Sequence, residues 1–185
     1  MTTSSKKPMK WLIDQDAKSL NARVTRLQYM ARQFGSQDRF ILFHGGMLVT
    51  QLFEESRSNF VNGQLISCVL MCQCFIEESL KVILSNGGSR YDVTDKWLAR
   101  ATFYNIIEKA QKAGLLTQRE ANDLHWLRQA RVQYVHPKLP STGKSLAARV
   151  GKENKMPWEL YEKDAKRALR ITFKLISKEP FIWKK

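Results

Sequence analysis

Acidic residues are what this sequence most lacks: 17 Asp and Glu stand against 31 Lys and Arg, a formal net charge of +14. A surface of that sign attracts polyanions, with nucleic acid the first candidate; solubility or an acidic protein partner is the other use for it. Cysteine is also scarce. Cys68, Cys72 and Cys74 are odd in number and crowded within two helical turns, which argues against a disulfide framework and for small core residues in a reducing compartment. They make a poor zinc site too, because Cys74 leaves a helix on a different side from Cys68 and Cys72 and no His lies nearby, so we expect no metal and no cofactor. No apolar run is long enough to span a bilayer: residues 65–76 are broken by Ser67 and Gln73 and followed by Glu77 and Glu78. The first residues carry Lys6, Lys7 and Lys10 without the apolar stretch of an export signal, so a cytoplasmic protein without membrane contact is expected. No repeat of 20–50 residues is visible.

With 185 residues and 43% hydrophobic content, the chain has the material for one core, and we read a single all-α domain over 1–185 with a flexible basic tail at 1–12. Leu20, Val24, Leu27, Ala31 and Phe34 recur at helical spacing and predict an amphipathic helix ending near Gly35. Residues 39–43 form an apolar run, a helical turn or a short strand, cut by His44-Gly45-Gly46 before a further helix over 47–55. Residues 62–84 are apolar nearly all round, as a central helix is, and end at Asn86-Gly87-Gly88. Thr94 or Asp95 caps a helix reaching Gly114, Thr117-Gln118-Arg119-Glu120 has capping-box spacing, and Pro137 closes the helix it opens. Residues 138–157 read as a mobile basic loop, and residues 158–177 as a last helix. The whole indicates a helical bundle with the central helix packed against the one that ends at His136.

On a helical wheel, Arg131 falls between Leu124 and Val135, on the apolar arc centred on Leu127 and Tyr134. An inward guanidinium must pair with an acid, reach a cleft or face another subunit. Glu77, with Gln73 one turn before it, is the nearest candidate partner. Arg131 and His136 suit phosphoryl chemistry, because a His near neutrality can move a proton and an Arg can hold phosphoryl charge. The plainer alternative is an Arg131–Glu77 pair with His136 capping a helix end. His44, a lone His in a turn, and His125, on the flank of its helix and expected to be solvated, carry less. Ser141-Thr142-Gly143-Lys144-Ser145 lacks the first glycine of a phosphate loop, Lys138 standing in its place. Arg128, Lys138, Lys144, Arg149 and Lys152, with Lys155 and the basic residues of the last helix, are candidates for a phosphate-attracting patch.

The stretch Arg131-Val132-Gln133-Tyr134-Val135-His136-Pro137 resembles the motif helix of HEPN domains, where four to six residues separate an Arg from a His. Residues 75–81, with Glu77 in the acidic position, resemble the end of the preceding long helix in these domains, and residues 161–169 their closing helix, so that the resemblance covers about 62–177. It implies a HEPN-like bundle and metal-independent RNA cleavage by a homodimer, with Arg131, His136 and Glu77 at the site and the protein acting as a toxin or host-defence effector. An antitoxin or another protein is a further partner it admits. The sequence departs from the pattern at Val132, where the family usually has a polar residue, often Asn; this favours the alternative of an inactive HEPN module that binds nucleic acid or a protein.

Overall fold

Residues 65–87 form the helix around which the others are arranged, because theirs is the segment with apolar side chains on nearly every side. The computed structural model describes residues 6–34, 43–136, 145–178 and 181. Among these, eight α-helices and one 3₁₀ turn account for the regular structure, with no β-strand: α1 (Lys6–Phe34), α2 (Gly46–Val61), α3 (Leu65–Gly87), the 3₁₀ turn (Gly88–Tyr91), α4 (Asp95–Arg100), α5 (Phe103–Lys112), α6 (Gln118–Val135), α7 (Leu146–Glu153) and α8 (Pro157–Ile176). The expected all-α class and the central helix are therefore found. α2 and α8 cover most of α3, and α5 and α6 cover the rest.

One cluster of buried apolar residues, from Met30 to Phe181, joins these helices. At its centre the Phe53 and Phe75 rings lie 5.4 Å apart and Phe43 closes the group at 4.9 and 5.1 Å from them, so truncating either Phe53 or Phe75 to Ala costs about 3–5 kcal/mol. Cys68 and Cys72 are fully buried in the cluster and Cys74 is half-buried, so two of the three are core residues in the plain sense. Gly45 turns the chain into α2 at φ 105, and a Cβ there would lie 2.5 Å from a Val49 methyl, so only glycine fits.

Four boundaries differ from expectation. Residues 6–12 belong to α1 rather than to a tail. The stripe Leu20, Val24, Leu27 and Ala31 is exposed; α1 instead meets the bundle through Met30, which is buried, through Tyr29 against the Phe60 ring at 5.7 Å, and through Arg26, which donates to the Val61 carbonyl at 3.1 Å. The helix expected over residues 95–113 breaks at Ala101, because the Thr102 hydroxyl accepts from the Asn105 N–H and starts α5 afresh. Within the expected loop at 138–157, Ser145 caps α7 by accepting from the Ala148 N–H. Residues 39–42 and 137–144, including Lys138 and Lys144, lie outside the described residues. No described helix is long and apolar enough to cross a membrane.

Candidate functional site

The helix carrying Arg131 and His136 starts as its sequence demands. Thr117 and Glu120 form the reciprocal capping box of α6, the Thr117 N–H donating to the Glu120 carboxylate at 2.9 Å and the Glu120 N–H to the Thr117 hydroxyl at 3.3 Å. Glu120 is nearly buried, and Lys178 at the end of α8 donates to it at 2.7 Å. Burial alone would raise its pKa, but Lys178 and the Thr117 donors outweigh that and hold the carboxyl below its ordinary value of 4.5.

At its other end α6 leans on α8 rather than on α3. Ala130 is buried there, and the Tyr134 hydroxyl donates to Asp164 of α8. This swings Arg131 and Val135, one turn apart, to the uncovered side, where both are exposed. The inward-facing Arg131 read from the wheel is thus corrected: the wheel places it correctly beside Leu127, but no neighbouring helix covers that arc at this level. His136 is the C-cap of α6 and is also exposed, and Val132 between them is half-buried.

The expected Arg131–Glu77 pair is also corrected. Glu77 accepts from Gln73 at 3.3 Å and stands 3.6 Å from the Lys81 ammonium, with no bond to Arg131. Arg131 makes no hydrogen bond or ion pair among the described residues. It lies near enough to Cys74 of α3 for its charge to lower that thiol's pKa, against a larger upward push from burial. Gln73 is fully buried, with its side-chain oxygen unpaired. The motif positions are therefore neighbours in space without being wired together: an unpaired cation and a solvent-facing imidazole near the acidic end of α3. On one helix, side chains five residues apart leave the axis about 140° from each other. Arg131 and His136 of a single copy thus reach a common phosphate less readily than do those of two copies.

The basic candidates separate into different surroundings. Arg149 is not a free cation. It makes a bidentate pair with Asp164 at 2.7 and 2.9 Å and donates to Gln133 at 3.1 Å, while Asp164 is 2% exposed. Burial, then the bond to Asp164, pushes the Tyr134 phenol far above its ordinary range, so Tyr134 remains a donor. Arg128 lies over the Tyr104 ring on the α5 side, 5.5 Å from its centroid, with its Nε unpaired. Lys152 is exposed on α7. His125, expected to be solvated, is half-buried: it bonds Glu108 at 3.0 Å and packs on Tyr104 at 5.1 Å.

Between α6 and α8 opens a cleft of about 310 Å³, whose lining includes Trp126, Gln133, Arg149, Arg167 and Arg170. The Arg167 guanidinium lies 4.0 Å over the Trp126 ring and pairs with Asp123 at 3.2 Å. A second hollow continues it past Arg167 and Arg170 to Arg119 and Lys174, so cations line a groove along α8. A stacked guanidinium and indole beside exposed arginines suit a phosphate backbone with splayed bases. Sequence reading missed this arrangement. The available signal was Asp164, an acid on the apolar stripe of α8 one turn from both Leu160 and Ala168, which called for a cationic partner. Among the described residues no three His, Cys, Asp or Glu side chains are grouped to hold a metal ion. Set against family models, curated proteins and solved structures, the chain matches none of them.

Proposed function

We propose that the protein is a HEPN-type helical bundle that binds RNA and cleaves it through Arg131 and His136 of two copies meeting in one cleft, as a toxin or defence effector would. The observation that carries the reading is the exposure of Arg131 with no acidic partner among the described residues, because a paired and buried guanidinium would have no charge left for a phosphate. The net charge of +14 and the cationic groove along α8 supply the attraction for the strand.

In the step itself, His136 takes the proton of a ribose 2′-hydroxyl while the 2′-oxygen attacks the adjacent phosphorus. The bond from phosphorus to the 5′-oxygen breaks, that oxygen leaves with a proton from a second acid such as the other copy's His136, and Arg131 stabilises the charge on the phosphoryl oxygens. The products are a 2′,3′-cyclic phosphate and a 5′-hydroxyl.

The reading is tested by incubating purified protein with end-labelled RNA in a chelator. Cleavage to cyclic phosphate ends is expected, lost in Arg131→Ala and in His136→Ala while RNA binding persists. A second reading, RNA binding without cleavage, is favoured by Val132, a half-buried aliphatic residue that gives the site no polar support. If neither wild type nor Val132→Asn cleaves any RNA that the protein binds, this second reading replaces the first.

A further inference from the structure

The exposed stripe of α1 has a regularity that a solvent-facing helix has no reason to keep. Ile13, Ala17, Leu20, Val24, Leu27, Ala31 and Phe34 follow one another at alternating intervals of four and three residues, the a/d spacing of a coiled coil sustained over three heptads. Ile13, Leu20, Val24 and Leu27 are 61%, 54%, 44% and 53% exposed, so no described part of the chain covers this seam. The bundle holds only the second half of the helix, through Arg26, Tyr29 and Met30, while every side chain from Pro8 to Lys18 is exposed. A projecting half-helix that shows Met9, Leu12 and Ile13 to water is not stable by itself.

We infer that α1 is a self-association element, and that its seam packs antiparallel on the α1 seam of a second copy. Orientation follows from three features. An antiparallel pair sets the free first half of each helix beside the bundle-held second half of the other, so both projecting ends are covered at once. It places small against large, Ala17 facing Leu20 and Val24 facing Ile13 of the partner, whereas a parallel pair would stack Ala17 on Ala17 and Lys10 on Lys10. In that register Asp16 of each copy lies opposite Arg23 of the other, giving two symmetric ion pairs across the two-fold axis; a parallel pair sets Asp16 near Asn21 and Arg23 near Gln28, with no charges matched. Within one chain Arg23 already reaches back to Asp16 at 3.3 Å, so both charges sit on the flank of the seam. The stripe is too narrow for a lipid-facing helix, which needs a broad apolar face, and Asp14 and Asp16 beside it oppose an anionic bilayer. The inference does not depend on RNA cleavage. It concerns a face of α1, not the Arg131 end of α6.

Sedimentation velocity on the full chain tests it, with the Leu20→Glu/Leu27→Glu double variant as the perturbation. Both leucines are exposed, so the fold survives, and unchanged far-ultraviolet dichroism verifies that. The mass of the assembly is expected to halve in the variant over micromolar concentrations. Asp16→Arg alone should weaken association about tenfold, and Asp16→Arg with Arg23→Asp should restore it. Spin labels on a Cys74→Ser background report direction: label pairs at Lys18→Cys should be close, and those at Arg32→Cys roughly 40 Å apart along the helix pair. A wild-type monomer at every concentration, an assembly unchanged by the double variant, equal label distances at both positions, or monomeric protein captured through this face by anionic vesicles would each overturn the inference.

Discussion

Removing the carboxylate of Asp164 is the sharpest probe of how α6, α7 and α8 are joined. Asp164 is 2% exposed and accepts from both guanidinium nitrogens of Arg149 at 2.7 and 2.9 Å and from the Tyr134 hydroxyl. Asp164→Ala leaves a guanidinium and a buried phenol without their acceptor, and breaking one side of a buried pair costs about 3–5 kcal/mol. The Arg149 side chain keeps 20% of its surface and can turn partly to water, which favours the lower end, about 3 kcal/mol. For a chain of 185 residues that lowers Tm by roughly 6–12 °C. Arg149→Met/Asp164→Leu removes both charges and should recover part of the loss, since an apolar pair in place of a buried ion pair is often neutral. Differential scanning calorimetry is the assay. A shift under about 2 °C in Asp164→Ala, or a double variant worse than the single one by the full cost of a second lesion, would refute the reasoning.

Other expected outcomes follow from the same geometry. Glu120 has a folded pKa below its ordinary value, so it contributes stability that is complete above pH 4.5 and disappears as pH falls through the lower folded value; Glu120→Gln should flatten the fall in Tm over that acid window. Glu77→Ala should cost under about 1 kcal/mol by urea denaturation, because the Glu77–Lys81 contact is half-exposed and no buried Arg131 depends on it. Arg119→Glu with Arg170→Glu should weaken RNA binding and make the slope of log affinity against log salt shallower by about 3, the neutralised phosphates and the added repulsion acting together. A thiol reagent should modify one cysteine, Cys74, slowly in the native protein and all three after denaturation, because Cys68 and Cys72 are fully buried.

What was legible in the sequence was local. Thr117 and Glu120 at capping-box spacing mark the start of α6, the apolar composition of residues 65–84 marks the central helix, and Ser145, in a stretch read as loop, was passed over because a single cap before an eight-residue helix is a weak signal. The exposure of Arg131 was not legible, since periodicity tells which side of a helix is apolar and not where its neighbours stop. The same holds for α1, whose apolar stripe was found and whose lack of cover was not. The Arg149–Asp164–Tyr134 network joins positions 15 and 30 residues apart, and only the packing of α6 and α7 on α8 brings them together. The motif positions Arg131, His136 and Glu77 lie at one end of the α3–α6 pair as the resemblance implies, but the ion pair inferred between two of them is absent among the described residues.

The most direct test of the central proposal is single-turnover cleavage of one end-labelled RNA in chelator, run beside the same strand carrying a 2′-deoxyribose at the cleaved linkage. The account predicts cleavage of the first, no cleavage at the substituted linkage, and none of either by Arg131→Ala or His136→Ala. Equal cleavage of the deoxy-substituted strand, or full activity in either variant, would contradict it.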